Sequence, residues 1–368
     1  MKNPTFKLNS VLLAFSTAFV LGACGGGGGG GSDSGSANNG GSNNGGNNGG
    51  GPVSTCANGA TDYPNCTVLP LQTSVPTPTY LPNSVELQAF TEINAVRQKL
   101  GLGLWAQSKA LDTAAKNHVN YIVVNLPTDS SAYAHLEKQG NTGFTGAGPG
   151  DRAKFAGYPG FAGEVIGGPN AVYKLSPTFD LLNTIGHAQL LFDQCSTDIG
   201  IAYLPMIYQG LSLDPTVYNN GSKNNNLGVT LCQKNKDDFW FTYPFDGQVN
   251  VPLAMTPEKP NPIPDIVKDQ FGGDDWYNGT SAPIIIGFER SKSIDAISAT
   301  VTEVPSNTVL PMRLLWWQST TYPNPYKDKY IAFLVGYKPF KSQTKYQVTY
   351  NATVSGMSLS RTATFTTK

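Results

Sequence analysis

Apolar residues follow several different patterns along this chain. Val11 to Leu21 is an apolar run, and from Gly25 to Val53 apolar residues almost vanish. From Val85 the spacing becomes helical: Phe90, Ile93, Val96 and Leu100 recur three or four positions apart, and Gly101 ends the run. Asn83-Ser84-Val85-Glu86, just ahead, reads as a capping box. A second helix opens at Ser108, with Leu111, Ala114, Ala115, His118 and Ile122 on one face, and Pro127 closes the region. Alanines on that face allow close approach to another layer. Short helices are predicted near Asp151–Ala156, at Pro177–Leu182 and through His187–Phe192. Strand character follows at Ile199–Leu204, Leu227–Cys232 and Phe239–Tyr243. Helices flanking a few antiparallel strands make an α+β sandwich.

Past Tyr243 no helical period remains. Strand-like runs occur at Ala282–Phe288, Ala296–Thr302, Met312–Trp317, Tyr330–Val335, Tyr346–Val354 and Ser360–Thr366, separated by turn residues. This pattern predicts an all-β sandwich. Phe340-Lys341-Ser342-Gln343-Thr344-Lys345-Tyr346 resembles the tyrosine corner of immunoglobulin- and fibronectin-like domains, where a tyrosine hydroxyl bonds back to nearby backbone. Trp316 and Trp317 adjoin on one predicted strand, so one should face the core and the other the surface or the first domain. The expected division is 1–23 leader, 24–53 tether, 54–82 Cys- and Pro-rich lead-in, 83–245 α+β domain and 246–368 β-sandwich.

A length of 368 residues suits two domains with connectors. The net charge is zero, so no basic field exists to draw in nucleic acid. Charged residues make up only 14% while Gly (41), Tyr (17) and Phe (17) are plentiful, which fits an exported, turn-rich protein. The first segment agrees. Lys2 and Lys7 precede the apolar run, which at eleven residues is short of the roughly 20 needed to span a bilayer. Leu21-Gly22-Ala23-Cys24 then resembles a bacterial lipobox. The resemblance implies cleavage before Cys24, diacylglycerol on its sulfur and attachment to the cell envelope through acyl chains. With Gly25 rather than Asp next, it implies the outer membrane in a Gram-negative host. The Gly/Asn/Ser tether cannot bury enough apolar surface to fold, and it reaches roughly 30 Å on average. Four cysteines remain. Three pairings are possible, and Cys56–Cys66 with Cys195–Cys232 keeps each bridge within one segment.

Chemistry concentrates around three histidines, His118, His135 and His187. His118 lies on an apolar helix face and reads as a packed, structural residue. The run from Phe90 to Tyr203 carries FTEINAVRQKLGLGLWAQSKALDTAAKNH, HLEKQGNTGFTGAGPGDRAKFAGY, GEVIGG and NTIGHAQLLFDQCSTDIGIAY, in that order. These pieces resemble the CAP superfamily of cysteine-rich secretory, antigen 5 and pathogenesis-related proteins, in particular its bacterial SCP-type members. The resemblance implies an α-β-α sandwich with a cleft holding His135, Glu164 and His187, and Glu137 as a fourth member. In extended backbone, residues i and i+2 share a side, so His135 and Glu137 are placed to enter one cavity. Two imidazoles and two carboxylates suit zinc or another divalent metal. Ala188 stands where the family often has Arg, which removes a cationic neighbour of His187. Asp151 and Arg152 read as a helix start and salt-bridge pair.

The chain contains no HExxH, GxSxG or GxxxxGK[ST] pattern. The expected function is a lipid-anchored envelope protein that binds a lipid, glycan or protein through this cleft, without catalysis. The alternative is a metal-assisted hydrolase in which Glu164 or Glu137 acts as general base. Replacing Cys24 by Ala is expected to move the protein from the detergent phase to the aqueous phase on Triton X-114 partition. A variant that stays with detergent would remove the lipid anchor.

Overall fold

The computed structural model describes residues 68–167, 176–208, 211–212, 214–224, 230–256, 258, 262–263, 279–319 and 328–368. The leader, Cys24, the tether and the Cys56–Cys66 pair lie outside them. The first domain runs β1 (Val68–Pro70), α1 (Val85–Lys99), β2 (Ala106–Gln107), α2 (Lys109–Asn125), α3 (Pro149–Phe155), β3 (Phe161–Gly167), α4 (Pro177–Leu182), α5 (Gly186–Leu191) and β4 (Ser196–Tyr203). A small hairpin of β5 (Ile207–Tyr208) and β6 (Leu211–Ser212), then β7 (Thr216–Ser222) and β8 (Cys232–Lys234), follow.

Its central sheet has the order β2-β4-β7-β3. Alternation along the strands separates two helical layers. Ile199 and Ile201 of β4, Tyr218 of β7 and Val165 of β3 join Phe90 and Ile93 of α1, Leu181 and Leu182 of α4 and Leu191 of α5 in one core. On the opposite face Ala202 and Val217 pack with Ala115, Val119 and Ile122 of α2. This is the α-β-α sandwich expected. Gly200 makes the second interface possible: a Cβ there would lie 2.0 Å from the Leu111 carbonyl carbon.

Local signals hold with small corrections. Ser108 caps α2 through its hydroxyl, as expected. At α1 the cap is Ser84, which accepts the Leu87 N–H at 3.1 Å, while Asn83 adopts a left-handed φ of 62°. Glu86 instead accepts the Tyr203 N–H at 3.2 Å, tying α1 to β4. The lead-in is part of the fold from Val68 onward, since β1 pairs in parallel with β8. Cys195 and Cys232 form the predicted disulfide.

The second domain comprises β9 (Trp240–Tyr243), β10 (Gln248–Val251), β11 (Ile284–Phe288), β12 (Ile294–Glu303), β13 (Thr308–Leu310), β14 (Met312–Trp316), β15 (Ile331–Gly336), β16 (Lys345–Val354) and β17 (Met357–Thr367). One sheet is β14-β15-β11-β9 and the other β10-β17-β16-β12-β13. Taking β9 and β10 as one strand divided between the sheets, this is the ABED and CFG arrangement of an immunoglobulin-like sandwich. The tyrosine corner is present: the Lys341 N–H donates to the Tyr346 hydroxyl at 2.8 Å.

Two expectations change here. Trp240–Tyr243, assigned to the first domain, pairs antiparallel with β11, so the sandwich begins before residue 246. Trp316 and Trp317 do not face opposite ways. β14 ends at Trp316, alternation stops there, and both rings pack on the same sandwich core at 84° to each other.

The domains share a core. On β15, Ile331, Phe333 and Val335 join the first domain's cluster, whereas Ala332 and Leu334 face the inside of the sandwich. Phe192, just after α5, meets Phe241 and Tyr243 of β9 at ring separations of 5.6 and 5.4 Å. The β14-β15-β11-β9 sheet is thus buried on both sides, its outer face covering α4 and α5. Gly200→Ala is expected to cost about 1–3 kcal/mol by overpacking, read as a lower urea midpoint with the same circular dichroism. An unchanged midpoint would mean that α2 does not rest on β4 as described.

Candidate functional site

The site grows from β3. Val165 points into the α1 layer, so Glu164 beside it points toward α2. There it meets two cations. Arg152, from α3, donates through Nη2 to Glu164 Oε2 at 2.7 Å. His118, from α2, places Nε2 3.6 Å from Glu164 Oε1. The same His118 has Nδ1 3.0 Å from Glu137 Oε1 and Nε2 2.9 Å from the Ala134 carbonyl. Both ring nitrogens face acceptors, an arrangement that the doubly protonated imidazolium satisfies when Glu137 is a carboxylate. Glu137 Oε2 accepts the Thr145 N–H at 2.7 Å. All four side chains are buried. Two carboxylates, one guanidinium and one imidazolium sum to zero charge.

This balance decides the state of Glu164. Burial alone would raise its pKa, but the positive charges of His118 and Arg152, with the bond from His135, outweigh it and bring it down to about 2. A carboxyl held below its ordinary value stabilises the fold above about pH 4.5, and that contribution is lost as pH falls through about 2.

His135 stands at the rim, with 44% of its side chain exposed. Its Nδ1 lies 3.1 Å from Glu164 Oε1, and Arg152 Nη1 donates to its carbonyl at 3.0 Å. Since Glu164 is ionised, Nδ1 carries the proton, and Nε2 is the ring edge turned from the carboxylate. The glycine-rich run behind His135 has a mechanical role. It folds back so that the Glu137 N–H meets the Ala147 carbonyl at 3.0 Å, and Gly146, at φ +158°, passes where a Cβ would strike Asp151 at 2.7 Å. His135 and Glu137 therefore meet one cluster from two depths: the histidine at its mouth, the glutamate behind it.

His187 opens α5 and is 18% exposed. The Thr184 hydroxyl donates to the Leu181 carbonyl at 2.7 Å, so its oxygen is left to accept from His187 Nδ1 at 3.2 Å. Nδ1 also lies 3.5 Å from Glu258 Oε2. Glu258 is buried and accepts the N–H of Ile185 at 2.7 Å and of Gly186 at 2.9 Å. Burial pushes its carboxyl up to about 7 against these bonds. Burial, and secondarily repulsion from His135, push His187 down to about 3. The ring is therefore neutral at physiological pH, with its proton on Nδ1.

Of the expected residues, the structure joins His135, Glu164 and Glu137 in one network. It places His187 within the electrostatic reach of His135, on the other helical layer. The four do not form a coordination shell: both oxygens of each carboxylate face the network's own donors. Among the described residues no three His, Cys, Asp or Glu side chains are placed to hold a metal ion together. Three participants were not anticipated. His118, read as a packing residue, is the central cation of the network. Arg152 pairs with Glu164, while its neighbour Asp151 accepts the Gly148 N–H at the start of α3. Glu258 comes from the second domain, between β10 and β11, where no pattern marks it. For His118 one signal was available: a histidine on an otherwise small and apolar face needs a buried partner.

A family model described as the cysteine-rich secretory protein family, CAP, matches residues 90–206. Those residues form a CAP domain. Similar solved structures include an extracellular protein containing a SCP domain from Bacillus anthracis, 19% identical over 40% of this chain with a TM-score of 0.30. Only 45% of that protein's length is covered. An outer surface protein from Borrelia burgdorferi is 17% identical over 39% of this chain and 97% of its own, also at a TM-score of 0.30. No curated protein matches. Glu258 lies beyond the matched segment, so the CAP domain here borrows a carboxylate from outside itself.

Arg152→Met would leave two buried carboxylates facing one imidazolium. It is expected to destabilise the protein by about 3–5 kcal/mol, with Arg152→Lys losing less. Urea unfolding at pH 7 reads both, and equal stability of Arg152→Met and wild type would break the charge-balance account.

Proposed function

We propose that this chain is a cell-envelope binding protein, tethered by lipid on Cys24, whose CAP cleft holds a small polar ligand without turning it over. One observation carries the reading: the cleft's carboxylates are committed to internal partners, and what reaches its mouth is imidazole. A general base works best with a pKa near the operating pH. Glu164 is held at about 2, and both its oxygens are engaged; Glu258, pushed up to about 7, is buried with each oxygen on a backbone amide. Glu137 lies behind it. The hydroxyl beside His187 belongs to Thr184, which is buried and gives its proton to a backbone carbonyl, so it is not poised as a nucleophile.

The ligand class follows from the ring atoms that remain. His187 offers a lone pair on Nε2. His135 Nε2 accepts when the ring is neutral and donates when it is protonated. Such a pair suits hydroxyl or ammonium groups of a glycan or lipid headgroup. A divalent ion would find two imidazoles and no third protein ligand, which is short of a resident zinc site. The immunoglobulin-like domain packs on α4 and α5, the layer that carries His187.

The test uses residues 54–368 with His135→Ala and His187→Ala beside it. Binding to a glycan array and to vesicles of defined headgroup is expected, weakened at least tenfold by either substitution. Zinc alone is expected to bind weakly in calorimetry. Peptide or ester turnover that disappears with either substitution would establish the hydrolase instead, and binding untouched by both would move the ligand site elsewhere.

A further inference from the structure

Ala254, Thr256 and Glu258, between β10 and β11 of the sandwich, lie against α4 and the start of α5 and are fixed there by hydrogen bonds. Asn183 Nδ2 donates to the Ala254 carbonyl at 2.8 Å and to Thr256 Oγ1 at 3.0 Å. The Thr256 N–H returns to the Asn183 carbonyl at 2.9 Å, and its hydroxyl donates to Asp180 Oδ1 at 3.0 Å. Two residues on, Glu258 Oε1 takes the Ile185 N–H, while Oε2 takes the Gly186 N–H and lies nearest His187 Nδ1. The strap begins just after β10, whose partner β17 belongs to the sandwich. Its position is therefore set by the second domain.

We propose that Glu258 is a positioning residue for His187: the second domain supplies the acceptor that keeps the ring proton on Nδ1 and the Nε2 lone pair available in the CAP cleft. This deepens the cleft reading above and rests on it for the importance of that lone pair. The proposal stands on geometry. With its proton spent on Leu181, Thr184 offers an acceptor slightly off the ring. Glu258 offers a second from the same side, rigidly held by two backbone amides. Together they select one tautomer and fix the ring plane, the arrangement by which a carboxylate orients a functional imidazole. The unusual element is the donor of that carboxylate. It is outside residues 90–206, so a CAP domain taken alone would present His187 without it.

The experiment reads the His187 tautomer by long-range nitrogen–proton correlation at a pH well above the value of about 7 to which burial pushes Glu258, so that the carboxylate is ionised, on the whole soluble chain and without any ligand. Wild type is expected to show a pyrrole-type Nδ1 and a pyridine-type Nε2. In Glu258→Gln, the amide oxygen keeps the Oε1 position, which reaches both the Ile185 N–H at 2.7 Å and the Gly186 N–H at 3.2 Å, and the NH2 takes the place of Oε2, so a donor now faces Nδ1. The expected result is inversion of the two nitrogen types, with the proton on Nε2. Glu258→Ala is expected to lose the preference and give averaged shifts. Should the alanine variant fail to fold, the near-isosteric glutamine variant carries the test. Wild-type nitrogen types in Glu258→Gln, with only the melting temperature lowered, would reduce Glu258 to a helix cap and overturn the proposal. Because no ligand is present, that result is separable from failure of the binding assay.

Discussion

Four buried charges that cancel are the constraint around which the first domain is arranged. A lone carboxylate under α2 would cost several kcal/mol to desolvate, and Glu137 and Glu164 are both there. They are tolerated because Arg152 and His118 meet them within hydrogen-bond range. Each partner comes from a different element: α2, α3, β3 and the loop before the glycine-rich run. The cluster cannot form unless all four are in place, so it specifies how α3 and that loop lie against the sheet. It also explains why the rim residue is a histidine with a fixed ring. His135 is the outermost member of a set whose inner members are already satisfied.

The same balance limits chemistry. A carboxylate stabilised by two cations is a weak base, and one buried behind it is out of reach. What the network produces at the surface is an oriented imidazole. The second imidazole, His187, meets unrelated partners, a threonine and a carboxylate from the second domain, and it is kept neutral by burial. As proposed above, we read two oriented imidazoles as a recognition surface rather than a hydrolytic centre.

The two domains are joined by more than a linker. β15 reads as Ile331-Ala332-Phe333-Leu334-Val335, apolar at every position because both of its faces are covered. One face fills the sandwich and the other lies on α4 and α5, with Phe192 against Phe241 and Tyr243. The layer that carries His187 is therefore supported from the sandwich side by packing and by the strap from Ala254 to Glu258.

Much of this was legible from the chain itself. Period and capping residues give α1, α2 and α4 because a helix declares its buried face within a few residues. The sandwich strands and the Tyr346 corner likewise depend on local alternation and turns. β3 and β7 did not declare themselves. Phe161-Ala-Gly-Glu-Val-Ile-Gly and Thr216-Val-Tyr-Asn-Asn-Gly-Ser carry the glycines and asparagines of turns, yet they are paired strands of the main sheet, β7 central and β3 at its edge, where Gly163, Gly167 and Gly221 leave room for neighbouring side chains. The sequence by itself determined which residue types were available for a site: His135, His187, Glu137 and Glu164 are named by their motifs. Only the tertiary structure decided what each does, because a charge's role depends on which opposite charge is buried beside it. His118, Arg152 and Glu258 are brought there from α2, α3 and the second domain by packing that no local pattern encodes.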